Sequence, residues 1–134
     1  MVIKTKTIEQ SILIKANPHE VYEAFMDSKK HSKFTESKAT ISREIGGKFS
    51  IFEGEIEGKN LELIQDKKIV QSWRSKEENW PKSHYSTITI DLESVENGTN
   101  LKFKQTEVPS TCYESVKEGW NDYYWEPLKG MLEK

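Results

Sequence analysis

Residues 111–134 read TCYESVKEGWNDYYWEPLKGMLEK, and their spacing decides the fold. Tyr113, Val116, Trp120, Tyr123/Tyr124, Leu128 and Met131 recur at intervals of three to five, which is one face of a helix. Thr111 with Glu114 has the form of a capping box. Pro127 lacks the N–H that would bond Tyr123, so a kink is expected there. Trp125 falls off the apolar stripe and Lys117 falls within it. A long helix with so aromatic a face needs an apolar surface to lie on.

The preceding residues supply one. From about Lys38 to Glu107 the pattern is strands and turns. Gly46-Gly47 precedes alternating Phe49/Ile51, and Gly54 and Gly58 mark places where a bulge or sharp twist is tolerated. KKIVQSWR reads as a strand, and YSTITIDL alternates at Ile88, Ile90 and Leu92. In ENGTN, Asn97-Gly98 is the favoured pair for a two-residue hairpin. That turn would place Glu96 opposite Thr99, Leu92 opposite Phe103 and Ile90 opposite Gln105, with Gln105 aimed at the core side.

Upstream, Thr5 to Lys15 alternates with Ile8, Ile12 and Ile14 on one face. In NPHEVYEAFMD, Asn17 is an N-cap, Pro18 suits the first helical position and Glu20 completes a capping box. Val21, Tyr22, Phe25 and Met26 then follow at helical spacing. The order is strand, helix, about six antiparallel strands, then a long C-terminal helix. These elements describe an α+β architecture in which a curved antiparallel sheet of six or seven strands grips that helix.

Composition sets limits on function. The chain has 134 residues, 34% apolar and 31% charged, with 14 aromatics, which fits one ordinary domain with a real core. Its 20 basic and 22 acidic residues leave a net charge of −2, so no basic excess serves a nucleic-acid backbone. No apolar run is long enough to span a membrane, and the start MVIKTKTIEQ lacks the apolar core of a signal peptide. Cys112 is the single cysteine, which excludes an internal disulfide and suits a reducing cytoplasm.

The chemistry-bearing residues are sparse. His19, His31 and His84 fall in a helix start, a connection and a loop, without ligand spacing for a metal. Gly54, Gly58 and Lys59 are one residue short of a phosphate-binding loop. Cys112 at a helix start invites a thiolate reading, but a small side chain filling the first turn explains it as well. Lys117 is either a desolvated amine or a snorkelling stem. A hydrophobic cavity between sheet and helix would be lined by Phe25, Phe49, Trp73, Gln105, Lys117 and Trp120, unless those aromatics simply fill it. The stretch NWPKSHY at 79–85 is unusual for a connection between strands. Trp80-Pro81 is either a stiff protrusion of the kind enriched at interfaces or an aromatic folded back on its own sheet.

Four segments together carry a resemblance: GGKFSIFEGEIEGKNLELIQDKKIVQSWR, WPKSHYSTITIDL, NGTNLKFKQTEVP and EGWNDYYWEPLK. In this order they resemble the C-terminal domain of activators of heat-shock protein 90 ATPase, a START-like fold, from about Ile14 to Met131. The resemblance implies a co-chaperone with no chemistry or cofactor of its own, which favours the closed, hydrolysis-competent form of its partner. It implies Trp80, Pro81, Lys82 and His84 as candidate contacts. Two-domain members also carry an N-terminal domain that grips the chaperone's middle segment. If these 134 residues are the whole protein, weaker binding and partial stimulation are expected; if they are a fragment, the missing part carries the anchor. Many START-like relatives bind small apolar molecules, so a carrier is the alternative.

Overall fold

The computed structural model describes residues 3–133. Strand β1 (Thr5–Ile14) leads into helices α1 (Pro18–Met26) and α2 (Ser28–Thr35). Six strands follow: β2 (Thr40–Ile41), β3 (Lys48–Ile51), β4 (Ile56–Ile64), β5 (Lys68–Ser75), β6 (Ser86–Val95) and β7 (Gly98–Pro109). The chain then turns through a 3-10 turn (Ser110–Cys112) into α3 (Tyr113–Trp120), a π-helical turn (Asn121–Trp125) and α4 (Glu126–Leu132). All seven strands form one antiparallel sheet in the order β1-β7-β6-β5-β4-β3-β2. This is the expected α+β helix-grip fold.

The Asn17 side chain caps α1 by accepting from the Glu20 N–H at 2.9 Å, which fixes where the chain leaves β1. Helix α2 occupies the segment around His31 where a connection is expected. Asp27 caps it through the Lys30 N–H at 3.0 Å, and it buries His31 and Phe34.

The β6–β7 hairpin forms, but in another register. Val95 pairs with Gly98, Leu92 with Leu101, Ile90 with Phe103 and Ile88 with Gln105. Positive φ falls on Gly98 alone, at 144°, so the two-residue loop is Glu96–Asn97 rather than Asn97–Gly98. The pairing moves by two residues, so each side chain keeps its face and Gln105 still points inward. A side chain at Gly98 would put its Cβ 2.1 Å from the Ile14 carbonyl oxygen, where the end of β1 crosses the hairpin.

The C-terminal helix is held by aromatic packing and one buried hydrogen-bonded chain. Trp120 lies 4.4 Å from Phe103, and Trp125 stacks on Trp120 at 5.4 Å, measured between ring centroids. The Trp120 indole donates to Gln105 Oε1 at 2.8 Å, Gln105 Nε2 donates to Ser86 Oγ at 2.9 Å, and Ser86 donates to the Trp73 carbonyl at 2.9 Å. A polar residue on the core side thus has both ends of its amide paired.

Two expectations for this helix are corrected. Thr111 donates its hydroxyl to the Asn79 carbonyl at 3.3 Å and does not cap the helix, which starts through the 3-10 turn. Just before Pro127 the helix is irregular: a π-helical turn has the Glu126 N–H reach back five residues to Asn121. The extra residue in that turn brings Trp125 to the inside, buried beside Tyr124, where regular helical spacing had left it out.

Candidate functional site

The 79–85 stretch is built inward. Trp80 is only 5% exposed. Its indole N–H donates to the His84 carbonyl at 2.8 Å, and its ring meets Trp73 edge-on at 5.6 Å. His84 Nε2–H donates to the Glu107 carbonyl at 2.8 Å, which ties the loop to β7. The protruding-Trp80 reading is therefore corrected: the Trp80 ring is no contact surface, because burying so large an apolar group outweighs leaving it in water. Pro81 and His84 are half-buried, and Lys82 and Tyr85 face solvent. Trp80→Ala should lower stability by about 3 kcal/mol, measured by urea unfolding. A loss under about 0.5 kcal/mol would mean the indole is not part of the core.

The cavity residues separate into two groups. Phe25, Phe49, Trp73 and Trp120 surround an interior gap of only about 10 Å³ with His31 and Tyr124, so aromatics fill the centre. Gln105 is consumed by the hydrogen-bonded chain. Lys117 is exposed, its ammonium sits 5.6 Å from the Tyr113 ring, and it does not line this interior gap. The carbons of its stem cover the helix surface while the charge stays in water.

Beside this filled centre, a groove of about 380 Å³ opens between the C-terminal helix and the β3–β4 turn. Trp73, Ser75 and Glu77 come from β5 and the residues after it, where the inward alternation of the strand continues past its end. Ser115, Gly119, Trp120, Tyr123 and Tyr124 come from the helix. Phe52 and Glu55 close the third side. Phe52, Glu53 and Gly54 have successive φ values of 53°, 56° and 90°. A bulky residue at positive φ is strained, and the Phe52 ring is held there against Tyr123 and Tyr124 at 5.9 and 6.1 Å. Sequence reading missed Phe52, Glu55, Glu77 and Tyr123. The signal for Glu77 was available, since it continues the odd-numbered inward run Gln71, Trp73, Ser75.

Cys112 is fully buried, and burial first, then the nearby Glu77 carboxylate, push its thiol up. This opposes thiolate formation, so the first-turn packing reading stands over the nucleophile.

Residues 15–133 match the family model described as activator of Hsp90 ATPase homolog 1-like protein. This chain belongs to that family. It is 32% identical over 131 residues to the activator of 90 kDa heat shock protein ATPase homolog 2 of Mus musculus, covering 98% of this chain and 39% of the relative. It is 38% identical over 127 residues to the Dictyostelium discoideum homologue, covering 93% of this chain and 32% of that protein. The chain thus spans well under half the length of these curated relatives. Among solved structures, an HSP90 activator from Plasmodium falciparum superposes with a TM-score of 0.88 at 28% identity, covering 95% of this chain and 96% of the other. The Aha1 dimer from Colwellia psychrerythraea gives 0.79 at 26% identity, with 96% of each chain covered. The activator family has a START-like binding fold and is not itself an enzyme family. Among the described residues no helix is long and apolar enough to cross a membrane.

Proposed function

We propose that this chain is a co-chaperone that binds heat-shock protein 90 in the cytoplasm and accelerates its ATPase cycle. The observation that carries the reading is similarity to proteins named as ATPase activators across nearly the whole chain. Acceleration of this kind requires no chemistry from the activator. It needs tighter binding to the hydrolysis-competent conformation than to the open one, and the ratio of the two affinities bounds the effect.

The outward side of the 79–85 loop is the proposed contact. Trp80 and His84 pin it from inside, and Pro81 and Lys82 form its outer surface. A rigid loop is suited to recognition because little entropy is lost on docking. Adding the chain to the chaperone of the same organism should raise ATP turnover saturably, and an inhibitor of the chaperone's hydrolysis should abolish the rise. Lys82→Glu should weaken the response several-fold, by an amount that shrinks with added salt. An unchanged dose curve for Lys82→Glu would remove the loop from the interface. Calorimetry showing no binding by the unmutated chain would overturn the co-chaperone reading.

The groove of about 380 Å³ favours a second reading, a carrier of a small ligand with an apolar body, since its size falls in the range of small-molecule sites.

A further inference from the structure

We propose that the groove under the C-terminal helix takes a small organic cation, a protonated amine or quaternary ammonium joined to an apolar body. This rests on the second reading above and gives it a ligand class. It is independent of chaperone binding.

Charge carries the argument. Among the described residues, the charged side chains lining the groove are Glu55 and Glu77, with no lysine, arginine or histidine in the lining. Glu77 Oε1 accepts from the Ser75 hydroxyl at 3.3 Å and Oε2 from the Ser115 hydroxyl at 2.9 Å. These neutral donors orient the carboxylate without cancelling its charge. The neighbouring ammonium groups lie outside the lining: Lys76 is 4.0 Å from Glu57, and Lys6 and Lys117 lie over the Tyr113 ring. An anion entering the groove would meet two like charges, whereas a cation would supply the missing countercharge.

The walls suit the same ligand. Trp73, Trp120 and Tyr123 present aromatic rings, which attract a cation through their faces and pack against an apolar body. Gly119, although in a helix, leaves the groove open: a Cβ there would meet only Tyr123, at 3.8 Å. A helical glycine costs stability relative to alanine, so its benefit here is space.

The test uses three probes with one body, phenylbutylamine, phenylbutanol and phenylbutyrate, added to the isolated full chain at neutral pH. Binding is followed by NMR of the indole N–H groups. Saturable shifts at Trp73 and Trp120 are expected, with the amine about tenfold tighter than the alcohol and the carboxylate weakest. Glu55→Gln combined with Glu77→Gln should erase the preference for the amine. Gly119→Leu should block all three probes while leaving the rest of the spectrum folded. Equal binding of amine and alcohol would overturn the cation assignment and leave the carrier reading standing. No indole shift with any probe, or shifts that survive Gly119→Leu, would overturn both.

Discussion

Trp120→Ala should destabilise the domain by about 4 kcal/mol, the largest loss expected from any single truncation of the helix. Trp120 is 3% exposed and touches Phe103, Trp73, Tyr124 and Trp125. Removing it opens a hole where sheet and helix meet, and stacked rings cannot easily close it. It also strips Gln105 of its donor, leaving a buried amide oxygen unpaired. Urea unfolding at neutral pH measures the loss, and an intermediate with the sheet intact and the helix detached would show as non-coincident fluorescence and circular dichroism transitions.

A double-mutant cycle separates packing from hydrogen bonding. Trp120→Phe keeps most of the ring and removes the donor, and Gln105→Leu removes the acceptor at nearly constant shape. Each alone should cost about 2 kcal/mol because it leaves a buried partner unsatisfied. The pair together should cost clearly less than the sum if Ser86, which keeps its bond to the Trp73 carbonyl, tolerates the loss of Gln105. Strict additivity would mean that the Trp120–Gln105 bond contributes nothing beyond two independent packing defects.

The sequence made the architecture legible because periodicity is a local property and the sheet and helix obey it. The alternation through Ile88, Ile90 and Leu92 and the helical run from Tyr113 to Met131 each follow one repeat for several turns or pairs. What stayed illegible depended on contacts between elements. Trp80 has a sequence environment that fits a protrusion, and only the ring of Trp73 and the carbonyl of His84 make it internal. The π-helical turn changes the helical repeat for five residues, which moves Trp125 inside against the expected stripe. The hairpin register moved because Gly98 is required by the crossing of β1, a contact more than eighty residues away in sequence. The groove was beyond reach for a similar reason. Its third side is a strained left-handed turn, and nothing in the local sequence marks Phe52 as a residue that closes on Tyr123.

Stability should fall by about 3 kcal/mol as pH drops from 6.5 towards 4, and His31 is the group responsible. Its ring is 4% exposed, packed between Phe25, Phe34 and Tyr124. Nδ1–H donates to the Phe25 carbonyl at 3.2 Å, so the neutral ring must accept at Nε2, where the Tyr124 hydroxyl donates at 3.0 Å. Loss of solvation lowers the His31 pKa from its ordinary value to about 4, with the Phe25 bond opposing only part of that effect. Burial also drives the Tyr124 phenol upward, so it stays a hydroxyl and provides no countercharge. Between those two pH values the unfolded chain binds a proton that the folded chain refuses, so acid favours unfolding. The contribution is fully present above about pH 6.5 and gone below about pH 4. Asp27 and Asp66 are held below the usual carboxylate range, Asp27 chiefly by the Lys30 N–H, and Asp66 because an opposing desolvation is outweighed by the His19 and Gln65 hydrogen bonds together. Their contributions are lost at lower pH, outside this window. His31→Phe should flatten the dependence between pH 6.5 and 4 whatever it does to stability at neutral pH, because the slope counts protons rather than contacts. A parallel slope in wild type and His31→Phe would assign the titration to another group and would show that the imidazole is reached by water.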